Sequence, residues 1–94
     1  MKPSASIESE RQAEFCGILG NPHRIRIVWV LGSRELTVSE IADKINASMQ
    51  NTSQHLRLMK NRGVLQSRRD GREIYYRIAD TEFTRTCPVI TKNR

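Results

Sequence analysis

Between Ser48 and Arg77 the chain changes its period. Apolar residues recur at helical spacing up to a glycine stop at Gly63, and from Leu65 an alternating pattern takes over on either side of Asp70-Gly71. A polar helix, a glycine and then a basic hairpin is the sequence form of a helix followed by a projecting β-wing. Charge marks the same stretch. Residues 1–47 carry six Lys/Arg against six Asp/Glu, residues 48–77 seven against two, and residues 78–94 three against two, so most of the net +6 belongs to one helix and one hairpin. Positive charge gathered this way suits a polyanion, because each neutralised phosphate releases condensed counterions.

Ninety-four residues provide one small domain, 1–94, and a domain of that size leaves much apolar surface uncovered unless it pairs with another copy. Its longest apolar run, Ile27 to Leu31, is too short to cross a bilayer, so no membrane partner is expected. The opening Met1-Lys2-Pro3-Ser4 lacks a signal peptide's apolar stretch, which makes the cytoplasm the expected compartment. Cys16 and Cys87 are too few and too far apart for a disulfide scaffold or a four-ligand zinc site and read as free thiols. The sequence holds no Ser/His/Asp set, paired-carboxylate site or glycine-rich phosphate loop, so an enzyme is not expected, nor a cofactor.

Along the chain, Ser6 can cap a first helix that reaches about Leu19 before Gly20. Asn21-Pro22 restarts it as N-cap and first helical position, and Ile25 to Leu31 is apolar on nearly every side, as in a central buried helix. Thr37-Val38-Ser39-Glu40 has the spacing of a capping box, Asn46-Ala47 supplies a tight turn, and Ser48 caps a helix that runs to about Arg62. Two helices joined this closely, within 37–63, form a helix-turn-helix. On the second, Met49, Thr52, Leu56 and Met59 share the inward face, while Gln50, Asn51, Gln54, Arg57 and Asn61 share the outward one. Amides and a guanidinium are the groups that bond adenine and guanine edges bidentately in a major groove. In the wing, 64–78, Ile74, Tyr76 and Ile78 alternate with Glu73, Tyr75 and Arg77. Asp70-Gly71 is expected as the two-residue turn, which puts Arg68, Arg69 and Arg72 at the tip, where they can reach phosphates or a minor groove.

From Leu19 to Ile78 this order resembles the ArsR/SmtB family of winged helix-turn-helix repressors. The likeness is carried by Leu19-Gly20-Asn21-Pro22-His23-Arg24-Ile25-Arg26-Ile27, by Glu35-Leu36-Thr37-Val38-Ser39-Glu40-Ile41-Ala42, by Ser53-Gln54-His55-Leu56-Arg57-Leu58-Met59, and by Gly63-Val64-Leu65 through Gly71-Arg72-Glu73-Ile74-Tyr75-Tyr76-Arg77. It implies an α+β, mostly α, winged helix-turn-helix of three to five helices with a two-stranded wing. It also implies a homodimer that binds an imperfectly palindromic duplex operator until an effector, not identifiable from the sequence, lowers its affinity. Ser53 and His55 join Gln50, Asn51, Gln54, Arg57, Lys60, Arg68, Arg69 and Arg72 as expected DNA-binding residues. His55 is expected either to support its helix or to touch a phosphate, and His23 to be a surface or hydrogen-bonded residue.

Family members pair through their first and last helices. Segment 1–19 is therefore expected to dimerise through Phe15 and Ile18, with Phe83 contributing from a short C-terminal helix or tail, 79–94. Pro88 disfavours helical geometry at Cys87 and limits that last helix. Thr37 and Ser39 stand where metal-sensing members carry cysteines, and the tail has no histidine, so no family-type metal site is expected. Cys16 and Cys87 remain as candidates for a thiol or redox sensor, the alternative being a repressor with no effector or one controlled by a partner. The alternative class is a winged-helix module that binds protein or RNA, told apart by its lack of salt-dependent, sequence-selective binding to duplex DNA.

Overall fold

Gly17 and Ile18, where the computed structural model begins its description of residues 17–91, are the end of a helix that Gly20 leaves by donating its amide to the Gly17 carbonyl at 3.2 Å. Asn21 then caps α1 (Pro22–Leu31), its Oδ1 accepting the His23 amide at 2.9 Å while Pro22 takes the first turn, where a missing N–H costs nothing. Ile27, Val28 and Leu31 are buried, as a central helix requires. One side of α1 departs from the expected all-round burial: Pro22, Arg26 and Trp29 face outward, Trp29 with 39% of its surface exposed.

Strand β1 (Leu36–Thr37) leads directly into α2 (Val38–Ile45). Thr37 Oγ1 accepts the Glu40 amide at 3.3 Å, and Glu40 Oε1 accepts the Thr37 amide at 2.9 Å and its hydroxyl at 3.0 Å. Each side chain thus satisfies an amide that the helix start leaves without a partner. Asn46 ends α2 in the left-handed region (φ 57°), and the Ala47 amide bonds back to the Ala42 carbonyl at 3.0 Å. Two residues later Ser48 Oγ accepts the Asn51 amide at 3.0 Å and opens α3 (Met49–Asn61). At its far end Gly63 (φ 83°) lets the Val64 amide reach the Met59 carbonyl at 2.9 Å and brings buried Val64 over buried Met59.

Strands β2 (Leu65–Asp70) and β3 (Glu73–Ile78) pair antiparallel from Leu65↔Ile78 to Asp70↔Glu73. That register corrects the expected turn by one residue. The two central positions are Gly71 and Arg72, because Asp70 still pairs with Glu73; Gly71 (φ 64°) supplies the positive φ that a two-residue hairpin with glycine first demands. The two-stranded wing is extended at its base into a three-stranded sheet, since β1 pairs with the other edge of β3 (Leu36↔Tyr76), giving the order β1-β3-β2. Only the base of the hairpin meets the helices. Leu65, Tyr76 and Ile78 are buried there, whereas Ile74, opposite Arg69 near the free end, is 39% exposed instead of facing the core.

After Ala79 come two short helices, α4 (Glu82–Thr86) and α5 (Pro88–Thr91), separated at Cys87 (φ −70°, ψ 119°), the extended backbone that a following proline favours. Ile27, Leu31, Ile41, Leu56, Met59, Val64 and Ile90 lie fully buried where α1, α2, α3, the hairpin base and α5 meet. Truncating one of them, for example Leu56→Ala, removes about 2–5 kcal/mol.

Candidate nucleic-acid interface

Helix α3 is held by its inner face and leaves its amides in solvent. Thr52, Leu56 and Met59 are buried; Gln50, Asn51, Gln54, Arg57, Lys60 and Asn61 are exposed. Met49, expected on the inner face, is 56% exposed, because as the first residue of α3 it precedes the turn that meets the core. Ser48, Gln50, Asn51 and Gln54 line a shallow depression of about 210 Å³ at the start of the helix. No acidic residue occupies that first turn, in contrast to α2 with Glu40, so the positive end of the α3 dipole is not offset by a carboxylate of its own.

Ser53 is half-buried, and His55 faces α1. The His55 Nδ1 accepts from Arg24 Nε at 3.3 Å, and its ring stacks on that of His23 with centroids 5.5 Å apart and planes 25° apart. Burial first, then the charges of Arg24 and His23, hold the imidazole below its ordinary value.

On the wing, Arg69 and Arg72 are exposed at the tip, Arg69 Nε donating to the Gly71 carbonyl at 3.3 Å. Arg68 is differently placed. Its Nε donates to both Glu35 oxygens, at 3.0 and 2.9 Å, and its guanidinium lies 4.6 Å from the Tyr75 ring centre. That hydrogen bond holds the Glu35 carboxyl below its ordinary value, burial opposing it in part. Arg77 donates to Gln66 Oε1 at 2.9 Å beside it, and with Lys60 these residues line a groove of about 710 Å³ between the end of α3 and the wing.

Of the residues expected at a dimer contact, Phe15 lies outside the described residues. Ile18 is 7% exposed and packed within the chain's own core. Phe83 is half-buried against that core. Sequence reading missed Trp29, whose Nε1 donates to the Val89 carbonyl at 3.0 Å, 60 residues away. It also missed Arg24 and Glu35, whose partners are 31 and 33 residues distant and leave no local pattern. Of the two thiols, Cys16 lies outside the described residues and Cys87 is a buried free cysteine at the α4–α5 break. Among the described residues no group of three or more His, Cys, Asp or Glu side chains is placed to hold a metal ion, and no helix is long and apolar enough to cross a membrane.

Comparison with known proteins agrees with this geometry. The helix-turn-helix domain family matches residues 19–68. The cadmium resistance transcriptional regulatory protein CadC of Listeria innocua is 39% identical over 80 residues, 84% of this chain and 67% of that protein. A transcriptional repressor SmtB homolog of Synechocystis is 33% identical over 73 residues, 78% of this chain and 55% of its own length. The chain thus spans about half to two thirds of these relatives. Among solved structures, the homodimeric winged helix-turn-helix DNA-binding domain of Mb0332, a possible ArsR-family transcriptional regulator of Mycobacterium bovis, superposes with a TM-score of 0.75 at 28% identity over 84% of this chain and 73% of that one. With the winged helix-turn-helix built and the four sequence phrases in place on it, the chain belongs to the ArsR/SmtB family of winged helix-turn-helix transcriptional regulators.

Proposed function

We propose that this chain acts as a homodimeric transcriptional repressor that binds an imperfectly palindromic duplex operator, in the cytoplasm and without a family-type metal site. One observation carries the reading: the amide face of α3, Gln50, Asn51 and Gln54, stands in solvent at the helix end with no acidic first turn, on the same rigid frame as exposed Arg69 and Arg72. In a dyad-related pair, two such helices enter successive major grooves about 34 Å apart. Gln50, Asn51 and Gln54 then read base edges, with Ser53 beside them, while Arg57, Lys60, Arg69 and Arg72 neutralise phosphates. Arg68 and His55, engaged with Glu35 and Arg24, support the interface from within the protein. The relatives' names, repressor and regulatory protein, and the homodimeric neighbour favour the same assignment.

The test is sedimentation of the free protein at micromolar concentration, with duplex binding measured at two salt concentrations. A dimer whose affinity falls steeply with salt and depends on sequence is expected. A monomer, or a protein indifferent to duplex sequence and salt, favours the interaction-module alternative instead.

A further inference from the structure

His23 and Arg24 occupy the first turn of α1, and His55 lies in the middle of α3, the helix proposed to read bases. The fold stacks the two rings and threads Arg24 between three elements. Its Nε donates to His55 Nδ1 at 3.3 Å, and its Nη1 donates to the carbonyl of Ile18, at the end of the preceding helix, at 3.1 Å. An accepting Nδ1 requires the neutral ring with its proton on Nε2. His23 Nδ1 is buried in the same cluster and, among the described residues, has no hydrogen-bond partner.

We propose that Arg24 is the positioning residue of the recognition helix: through the neutral His55 ring it holds α3 to α1 and to the end of the preceding helix, and protonation of that ring releases the hold and lowers discrimination between DNA sequences. The inference rests on the DNA-binding reading above. A protonated His55 has no lone pair at Nδ1, so its N–H would oppose the Arg24 N–H. Burial weighs most against a charge on His55, and among the described residues the groups whose charge adds to it are Arg24 and His23, both from α1. The accepting Nδ1 describes the neutral ring, and burial with the neighbouring charges moves its change of state below the ordinary histidine value. A direct histidine–phosphate contact would do the opposite, since added positive charge strengthens binding to every duplex.

Two measurements on the 94-residue chain test this. Without DNA, an NMR titration of the imidazole rings should give His55 a midpoint below 6.5 that moves up in Arg24→Ala; a midpoint unmoved by that substitution overturns the proposal. With DNA, the readout is the ratio of affinities for an operator recovered by selection and for a random duplex. As pH falls from about 7.5 through the midpoint that NMR gives for His55, it should fall roughly three- to tenfold in the wild type and stay flat in His55→Gln, which cannot titrate. A ratio that holds or rises on acidification, or a His55→Gln variant that keeps the wild-type profile, overturns it. Should His55→Gln not fold, His23→Gln serves: it leaves the Arg24 hydrogen bond in place, so the fall persists with its midpoint moved up, and a profile identical to the wild type again overturns the cluster's role. If no duplex is preferred at any pH while the NMR shift stands, it is the DNA-binding reading that fails, and the claim about discrimination falls with it.

Discussion

Arg68 and Glu35 form a strut across the sheet: the Arg68 Nε lies 2.9 and 3.0 Å from the two Glu35 oxygens, joining β2 to the residue ahead of β1 over the intervening β3. With its Nε committed to a carboxylate, Arg68 is expected to be a weaker phosphate contact than Arg69 and Arg72, to which phosphate binding by the wing is assigned in this proposal. Replacing both of those by Ala should weaken binding to all duplexes and reduce the salt slope by about two units, whereas Arg68→Ala should leave the slope nearly unchanged. Equal slopes for the two variants would contradict the division.

The same strut sets a pH dependence. Glu35 has its folded value depressed below 4.5, so its contribution is present above that value and is lost as pH falls through the folded one. The urea midpoint of the wild type should therefore exceed that of Glu35→Gln at pH 7 and converge on it as the pH falls well below 4.5. Because both side chains reach solvent, the difference should also shrink in high salt.

Thr37 serves at once as the last residue of β1 and the cap of α2. Thr37→Ala should cost about 1 kcal/mol from the lost cap alone, read as a shift in denaturant midpoint at unchanged m. Thr37→Ser, which keeps the hydroxyl, should recover most of it. A Ser variant as unstable as the Ala variant would assign the effect to the buried methyl group instead.

Much of this architecture was legible in the sequence because it is written in local chemistry. Asn21-Pro22, Thr37 with Glu40, Ser48, Asn46 and Gly63 each announce a helix end through a side chain or a left-handed φ within four residues, and the structure places each at such an end. Where the outcome depended on distant partners, the same reasoning fell short. Asp70-Gly71 is a strong turn dipeptide, yet pairing of Asp70 with Glu73 moved the turn to Gly71-Arg72. Met49 and Ile74 fit their apolar periods but lie beyond the ends of the core, and a period does not say where a core stops. Arg68 read as one more basic tip residue, since neither Glu35 nor Tyr75 is its neighbour in sequence.

Regulation follows from the same residues. The Thr37 hydroxyl is occupied by Glu40 and neither Thr37 nor Ser39 offers a thiolate, so stoichiometric zinc or cadmium should leave operator affinity unchanged. Cys16 and Cys87 are then the groups left to sense oxidants or soft ligands. Operator affinity of the wild type, Cys16→Ser and Cys87→Ser, with and without mild oxidant, decides the matter. A loss on oxidation that either substitution abolishes supports thiol sensing; equal affinities throughout reject it in favour of a constitutive or partner-controlled repressor.

Base reading by α3 should show as loss of discrimination. Gln50→Ala, Asn51→Ala or Gln54→Ala should each reduce the preference for operator over random duplex by about 1–3 kcal/mol where the contact is bidentate, while Arg57→Ala or Lys60→Ala should weaken both duplexes alike. Variants of the two groups that behave identically would argue against a helix laid in the major groove.

The most direct measurement is selection of bound sequences from a random duplex pool by the 94-residue chain. The account predicts one enriched motif of two half-sites related by a dyad, their centres about one helical turn apart, bound by two chains per duplex. A pool with no enriched motif, or a single unrepeated site occupied by one chain, would contradict it.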